Sequence, residues 1–382
     1  MTLIAYTLNH ERPFLVGDLI ISSESANSSI QLLTNSIDIT QYLDSGKAMP
    51  VELRQKLYII RENICVALAG SVIDMKRFLE ALTLRCSVYD VVDESHIHSF
   101  IQEYTDESLG NLAFVIISVT KTSSGKLKMG FFRFPEKSWS YTLSAIFEGA
   151  YACGSGKEGF LNEISAEMDF DASAVKGDIK RAISFNISFI ARLLATERVS
   201  LFTVNKYWGG GFETILYDGQ KFMKLDQIAY VVMQGQFGES GDVGIPVPTL
   251  VMYVEYYNDY LIICSFELKK CKREDFDNKV VIHCSDFEKF IHVVHRIDFI
   301  SGVSDEELPS DFSFDTQRVA IGYAINTNDG GIIVPSLFYE GGLESVKFVN
   351  NEIEIVLSTV FLNKVRGGLK SVYENKLKRN PK

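Results

Sequence analysis

The first 22 residues, Met1-Thr2-Leu3-Ile4-Ala5-Tyr6-Thr7-Leu8-Asn9-His10-Glu11-Arg12-Pro13-Phe14-Leu15-Val16-Gly17-Asp18-Leu19-Ile20-Ile21-Ser22, decide how the rest of the chain is read. Two apolar runs, Thr2–Leu8 and Pro13–Ser22, flank the turn-like Asn9-His10-Glu11-Arg12, and this spacing predicts a pair of strands. Asp18 falls toward the end of the second strand, 16 residues after Thr2. Thr2 is small, so an aminopeptidase that accepts only small second residues is expected to remove Met1 and expose it. A terminal Thr holds a nucleophile and a base in one residue: the hydroxyl attacks, and the α-amine, with a pKa of about 8, takes the proton.

Working outward, Lys56–Ile60 and Asn63–Leu68 read as a second strand pair around Arg61-Glu62. Ala69-Gly70-Ser71 turns into a helix, because Ser71 with Asp74 three residues on has the pattern of a capping box. Val72, Met75, Phe78, Leu79 and Leu82 recur behind it at helical spacing, and a second helix is expected over Glu94–Tyr104. Leu112–Thr120 and Lys126–Phe134 form a hairpin around Thr122-Ser123-Ser124-Gly125. A strand at Gly149–Cys153 runs into Gly154-Ser155-Gly156, and Ile179, Ile183, Ile187, Ile190 and Leu194 mark a long amphipathic helix. Beyond Gly209-Gly210-Gly211 the strand pattern returns at Phe212–Tyr217 and Ile228–Met233.

Gly235–Pro248 holds four glycines and two prolines, a linker composition. After it come strands at Leu250–Tyr257, Tyr260–Leu268 and Val280–Cys284, an expected helix near Phe287–Phe299, and more strands to Phe361. Helices flank strands in runs rather than in strict alternation, so the class is α+β with mostly antiparallel sheets. The expected organisation is a first domain over residues 1–235, a linker over 236–248 and an α+β domain of unassigned role over 249–382. The last 19 residues carry seven Lys/Arg against one Glu and read as a solvated helix end rather than an arm that docks an acidic partner.

The 382 residues are 46% hydrophobic and 23% charged, ordinary for a folded chain and incompatible with a disordered or collagen-like one. Lys+Arg 38 against Asp+Glu 49 gives a net charge of -11, which disfavours a nucleic-acid partner. No apolar run reaches the roughly 18 residues of a membrane span, and the start lacks the basic and long apolar regions of a secretory signal. The six cysteines are scattered through apolar segments, which predicts reduced, buried thiols and a cytoplasmic setting.

Taken together, the order Thr2, two strands ending in Asp18, Lys56 14 residues before Gly70, an Ala69-Gly70 turn into a helix, and a later Gly154-Ser155-Gly156 resembles the proteasome β-subunit and HslV peptidase family of N-terminal-nucleophile (Ntn) hydrolases. The resemblance covers about residues 2–220. It implies a four-layer αββα sandwich, followed here by the smaller C-terminal α+β domain. By the same resemblance Thr2 is the nucleophile of a threonine peptidase or amidohydrolase. Lys56 lies near its hydroxyl and favours the alkoxide-like state, while Asp18 pairs with Lys56. The Gly70 N–H donates to the oxyanion, where a residue without Cβ is needed. Ser155 hydrogen-bonds the Thr2 amine, and Ser22 together with Gly70 contacts the substrate strand. The implied partners are a peptide or protein substrate, further copies or homologous subunits in a homo- or hetero-oligomer, and an ATP-driven unfoldase. No metal or organic cofactor is needed for this chemistry.

The chain departs from the family at several points. The acid and the serine that the family carries before a Gly-Gly pair are absent from Asn205-Lys206-Tyr207-Trp208-Gly209-Gly210-Gly211, Ile20 stands where an Arg is common, and the stretch between Asp18 and Lys56 is long. These departures support a second reading, an inactive Ntn-fold scaffold, sensing or assembly subunit. Other motifs are weaker. Gly156-Lys157 lacks the first Gly and the Ser/Thr of a P-loop, since Tyr151 and Glu158 stand there. Cys264, Cys271, His283, Cys284, His292 and His295 include no C-x-x-C pair, and His292 and His295, three apart on the expected helix, read as core or boundary residues rather than metal ligands.

Overall fold

In the computed structural model the described residues are 2–9, 12–23, 30, 32–34, 49–105, 111–122, 124–143, 147, 149–165, 178–200, 208–238, 243–244, 246–257, 259–298, 318–327, 330–335, 343–349 and 351–379. The apolar runs of the amino terminus form the hairpin β1 (Leu3–Asn9) and β2 (Arg12–Asp18). Next, β3 (Ile20–Ser23) pairs with β4 (Met49–Leu53), and β5 (Leu57–Arg61) with β6 (Ile64–Gly70). Helices α1 (Val72–Ser87) and α2 (Glu94–Thr105) precede the hairpin β7 (Leu112–Lys121) and β8 (Leu127–Phe134). After the short β9 (Ser140–Thr142) come β10 (Gly149–Gly154), α3 (Lys157–Ser165), α4 (Ile179–Ser200), β11 (Phe212–Tyr217) and β12 (Phe222–Lys224).

Strands of this half make a six-stranded sheet, β12-β11-β2-β1-β10-β9, and a four-stranded sheet, β5-β6-β7-β8, with antiparallel pairing throughout. Because successive residues of a strand point to opposite faces, β6 divides its side chains. Ile64, Val66 and Leu68 pack with Met75, Phe78, Leu79 and Leu82 of α1 and with Ile97 and Phe100 of α2. Cys65, Ala67 and Ala69 pack instead with Ile4, Tyr6 and Leu15 of the six-stranded sheet. The opposite side of β1, Leu3 and Ala5, belongs to a core shared with Phe160 and Leu161 of α3 and with Phe185, Phe189 and Ile190 of α4. β1 is therefore covered on both faces and paired on both edges, which fixes the position of the residue that precedes it.

The remaining strands, β13 (Ile228–Gln236), β14 (Val247–Tyr257), β15 (Tyr260–Asp275), β16 (Lys279–Val294), β17 (Arg318–Asn326), β18 (Ile332–Ile333), β19 (Leu343–Val349) and β20 (Glu352–Ser358), form one eight-stranded sheet in the order β18-β17-β13-β14-β15-β16-β20-β19. One face meets α4 through Tyr230, Val232, Leu250 and Met252, and the other is covered by Phe361, Leu362, Val365 and Leu369 of α5 (Thr359–Arg379). Within the described residues the class is α+β with more strand than helix. No helix among them is long and apolar enough to cross a membrane.

Several expectations are corrected. β13, within the stretch assigned to the first domain, pairs with β14 across the expected linker and, in parallel, with β17. The second sheet thus begins before the glycine-rich stretch, because that stretch closes a β13–β14 connection. The segment expected as a helix near Phe287–Phe299 is strand to Val294, carrying His292, with His295 just beyond it. Phe287, Phe290, Ile291 and Val294 mimic a helical period, but pairing with the equally long β15 overrides it. Cys271 and Cys284 are not reduced: they stand opposite each other on β15 and β16, 4.2 Å apart at Cα, and are joined by a disulfide. Strand register brought them together, which scattered sequence positions do not reveal. Cys65, Cys86, Cys153 and Cys264 are free and buried. Finally, Ser71 is the N-cap of α1 but its side chain makes no capping bond; its N–H donates to the Asn111 carbonyl instead.

Candidate active site

Leu3 pairs with Gly154, so Thr2 sits against the Gly154-Ser155-Gly156 turn. The Thr2 N–H donates to Ser155 Oγ at 3.0 Å, and the Thr2 carbonyl accepts the Ser155 hydroxyl and the Gly156 N–H, each at 3.3 Å. Gly154 has φ +101°, and a Cβ there would lie 2.2 Å from the Thr2 carbonyl oxygen, so the close approach of the two segments requires glycine. The Thr2 hydroxyl is buried and has no hydrogen-bond partner among the described residues.

Asp18 ends the strand beside β1. Its Oδ1 accepts the Leu3 N–H at 2.8 Å and Lys56 Nζ at 2.5 Å, and its Oδ2 accepts the Gly209 N–H at 3.1 Å. Lys56 Nζ also donates to the Ile20 carbonyl at 2.7 Å. Both charged side chains are wholly out of solvent. Burial pushes the Asp18 carboxyl up and the Lys56 ammonium down, and their mutual attraction works against both shifts. A buried lysine whose proton is loosened in this way can exchange it with a neighbouring group more readily than a solvated one.

Lys56 immediately precedes β5, and its carbonyl accepts the Leu68 N–H at 2.9 Å, which fastens it to β6 two residues before Gly70. Gly70 closes that strand with φ +125°, and a Cβ would lie 1.8 Å from the Asn111 carbonyl oxygen. The need for glycine here is thus already set by the α2–β7 connection. Among the expected residues, Thr2, Asp18, Lys56 and Ser155 form one hydrogen-bonded constellation through Leu3, whereas Gly70 is exposed at a strand end and outside it. Ser22 lies in β3 opposite Pro50, which has no N–H to offer it, two residues from the Ile20 carbonyl that Lys56 holds.

No protein-family model and no curated protein matches this chain. The geometry therefore stands by itself as the basis for any assignment. Met1 and residues 201–207, which include Asn205, Lys206 and Tyr207, lie outside the described residues, as does most of the long stretch after Ser23. What is described next to that region is the loop Trp208–Gly211, held by two carboxylates. Asp18 takes the Gly209 N–H, and Glu197 of α4 takes the Gly210 N–H at 2.8 Å while accepting the Thr34 hydroxyl at 2.6 Å.

Sequence reasoning missed Glu197 and, closer to the lysine, Glu213 of β11. Glu213 Oε1 accepts the backbone N–H of Lys56 and, at 2.8 Å, that of Leu57. Its Oε2 lies 3.3 Å from both Lys224 Nζ and the Tyr256 hydroxyl. The available signal was a charged residue inside the otherwise apolar run Phe212-Glu213-Thr214-Ile215-Leu216-Tyr217, where a solvated Glu has no place.

Proposed function

We propose that this chain is an N-terminal threonine peptidase or amidohydrolase with a proteasome-like αββα sandwich formed by its first part. The observation that carries this reading is the constellation at the start of β1, where the Thr2 N–H meets Ser155, and the next residue's N–H meets the carboxylate that pairs with a buried lysine. The order of packed elements supports it: α1 and α2, the four-stranded sheet, the six-stranded sheet, then α3 and α4.

With Met1 removed, the Thr2 N becomes a free amine beside Ser155 Oγ. The Thr2 hydroxyl adds to the acyl carbon of a peptide or amide, and its proton goes to the amine, with Lys56 lowering the energy of the developing alkoxide. The Gly70 N–H donates to the oxyanion. Collapse expels the leaving amine, which takes the proton from the Thr2 ammonium, and leaves an ester on Oγ1. Water then adds with the amine as base and releases the acid. A peptide or protein substrate, oligomeric assembly, an ATPase partner and a cytoplasmic location belong to the same proposal.

The alternative, a scaffold or sensing subunit of the same fold, draws on the lack of an acid and a serine in Asn205-Lys206-Tyr207-Trp208-Gly209-Gly210-Gly211. Intact-mass analysis separates the two first: loss of Met1 is expected, and a retained Met1 ends the hydrolytic reading because no free amine exists. Exposure to a peptide epoxyketone is then expected to add one inhibitor mass at Thr2 and none in Thr2→Ala. An unlabelled Thr2 with a free amine favours the scaffold.

A further inference from the structure

Lys56 is bound not only through its ammonium but through the backbone on both sides of it, and most of that grip comes from outside the expected constellation. Glu213 Oε1 holds the N–H groups of Lys56 and Leu57. The preceding residue, Gln55, is fixed by the eight-stranded sheet: its N–H donates to the His295 carbonyl, and its side-chain amide donates to the Asp259 and Val294 carbonyls at 2.8 and 2.9 Å. The Tyr58 hydroxyl donates to the Gln55 carbonyl and accepts the Ile297 N–H. Tyr256 of β14 and Lys224 of β12 in turn hold Glu213 Oε2, and Lys224 donates to Gln55 Oε1 at 2.6 Å.

We propose that Glu213 is a positioning residue for Lys56, and that the eight-stranded sheet serves the site by bracing Glu213 through Tyr256 and Gln55 through the β14–β15 turn and the end of β16. This rests on the hydrolytic reading only for its effect on rate; the placement of Lys56 is independent of it. A carboxylate that accepts two successive backbone N–H groups sets the height and direction of the side chain between them, and such charge-assisted bonds are stronger than neutral ones. The charge of Glu213 also reaches the Lys56 ammonium and favours its protonated form. The charged and titratable groups around this pair are Asp18 from β2, Lys224 from β12, Tyr58 from β5, Tyr256 from β14, Asp259 from the β14–β15 turn, and Arg296 and Asp298 from the segment after β16.

Two variants of the full chain test this. Glu213→Gln keeps the shape and removes the charge, and Tyr256→Phe removes one hydroxyl donor and leaves more of the Glu213 charge to act on Lys56. The first readout is the NMR titration of Lys56 with ¹³Cε-labelled lysine. The lysine midpoint is expected to move to lower pH in Glu213→Gln and to higher pH in Tyr256→Phe. The second is the rate of Thr2 labelling by the epoxyketone, expected to fall about tenfold in Glu213→Gln, with the limb governed by Lys56 moving to lower pH. A purely structural glutamate would lower the rate without moving either midpoint or limb. Unmoved midpoints in both variants overturn the proposal. If Glu213→Gln does not fold, the upward shift in Tyr256→Phe decides it. If the wild-type chain is never labelled at Thr2 but the two midpoints move in opposite directions, the positioning role stands and the hydrolytic reading falls.

Discussion

Removing the charge of Asp18 by Asp18→Asn strands the Lys56 ammonium in the interior with the Ile20 carbonyl as its remaining neutral acceptor. A buried cation in that position escapes by giving up its proton, and the cost of doing so caps the damage. From an ordinary lysine pKa of about 10.4, neutralisation at pH 7 costs about 4.6 kcal/mol, within the range of about 3–5 kcal/mol for breaking a buried pair from one side. The sign of the pH dependence follows. In the unfolded variant Lys56 is protonated and in the folded variant it is neutral, so the unfolded state binds one more proton and stability rises with pH, by about 1.4 kcal/mol per unit, between the lowered folded pKa and about 10.4. The penalty is therefore expected to shrink to about 2 kcal/mol at pH 9. Lys56→Met does the reverse. It leaves Asp18 to be protonated, which costs about 4.2 kcal/mol at pH 7 and about 1.5 kcal/mol at pH 5, so that variant regains stability as pH falls toward the unfolded carboxyl value. Urea unfolding followed through Trp208, which is fully buried beside the Gly209 end of this network, measures both series. The double variant removes both charges and is expected to be far less damaged than the sum of the singles. Equal losses at every pH, or additivity in the double variant, would refute the reasoning.

Ser155→Ala removes the acceptor of the Thr2 N–H and is expected to slow epoxyketone labelling about tenfold while leaving the unfolding midpoint within about 1 kcal/mol of wild type. Gly156→Ala places a Cβ 2.3 Å from Trp208 Cβ and 2.4 Å from its Cγ, atoms near the backbone that cannot swing aside, so a loss of about 3 kcal/mol or more and a changed tryptophan emission are expected in urea titrations. Burial pushes the free thiols up, Cys264 to about 12, so iodoacetamide at pH 8 is expected to leave the native chain unmodified. After unfolding, mass spectrometry should count four alkylated cysteines, and six only after reduction, because Cys271 and Cys284 are bonded to each other. A count of six without reductant would remove the disulfide.

The strands nearest the amino terminus were legible because their signal is local. Each of Thr2–Leu8, Pro13–Ser22, Lys56–Ile60 and Asn63–Leu68 is a short apolar run bounded by polar turns; three of them fall mainly on one strand each, whereas Pro13–Ser22, expected as one strand, is divided between β2 and β3, which join different sheets. The order Thr2, Asp18, Lys56 and Ser155 was legible as well, and the β1–β2 hairpin follows from those runs, whereas the pairing of β1 with β10 that brings Ser155 to Thr2 does not. What was not legible depends on register across long separations. The partner strand of Phe287–Val294 lies at Leu261–Leu268, and only that pairing distinguishes strand from helix for a run whose apolar spacing suits both. The same register puts Cys271 opposite Cys284. Gln55 escaped notice because it is an ordinary polar residue until the eight-stranded sheet closes over it; Glu213 stood out only as a charge in an apolar run, with partners that no local pattern names, and the extent of that sheet was itself hidden by a glycine-rich connection that reads as a linker.

The energetics of the pair bear on the choice between hydrolase and scaffold. Enclosing both an ammonium and a carboxylate costs several kcal/mol per ion before their attraction is counted, and replacing such a pair by apolar residues of similar volume is often neutral or stabilising. A fold retained only for assembly needs neither charge: beyond their attraction to each other, Asp18 holds the Leu3 and Gly209 N–H groups and Lys56 the Ile20 carbonyl, tasks that neutral polar side chains can also perform. Nor does it need a buried hydroxyl at Thr2, which has no hydrogen-bond partner among the described residues and where a Val of the same shape would pack. Both features fall at one spot, where Asp18 joins the residue after Thr2 to the lysine. They make sense together if Oγ1 is kept for the acyl group that the hydroxyl attacks under the hydrolytic reading. On this argument Thr2→Val is the discriminating variant. Under the hydrolytic reading it raises the midpoint of urea unfolding while abolishing labelling, the trade expected where a site holds a group for chemistry rather than for stability. A Thr2→Val chain less stable than wild type would show instead that the hydroxyl is satisfied in the folded protein, and would remove the energetic case for catalysis.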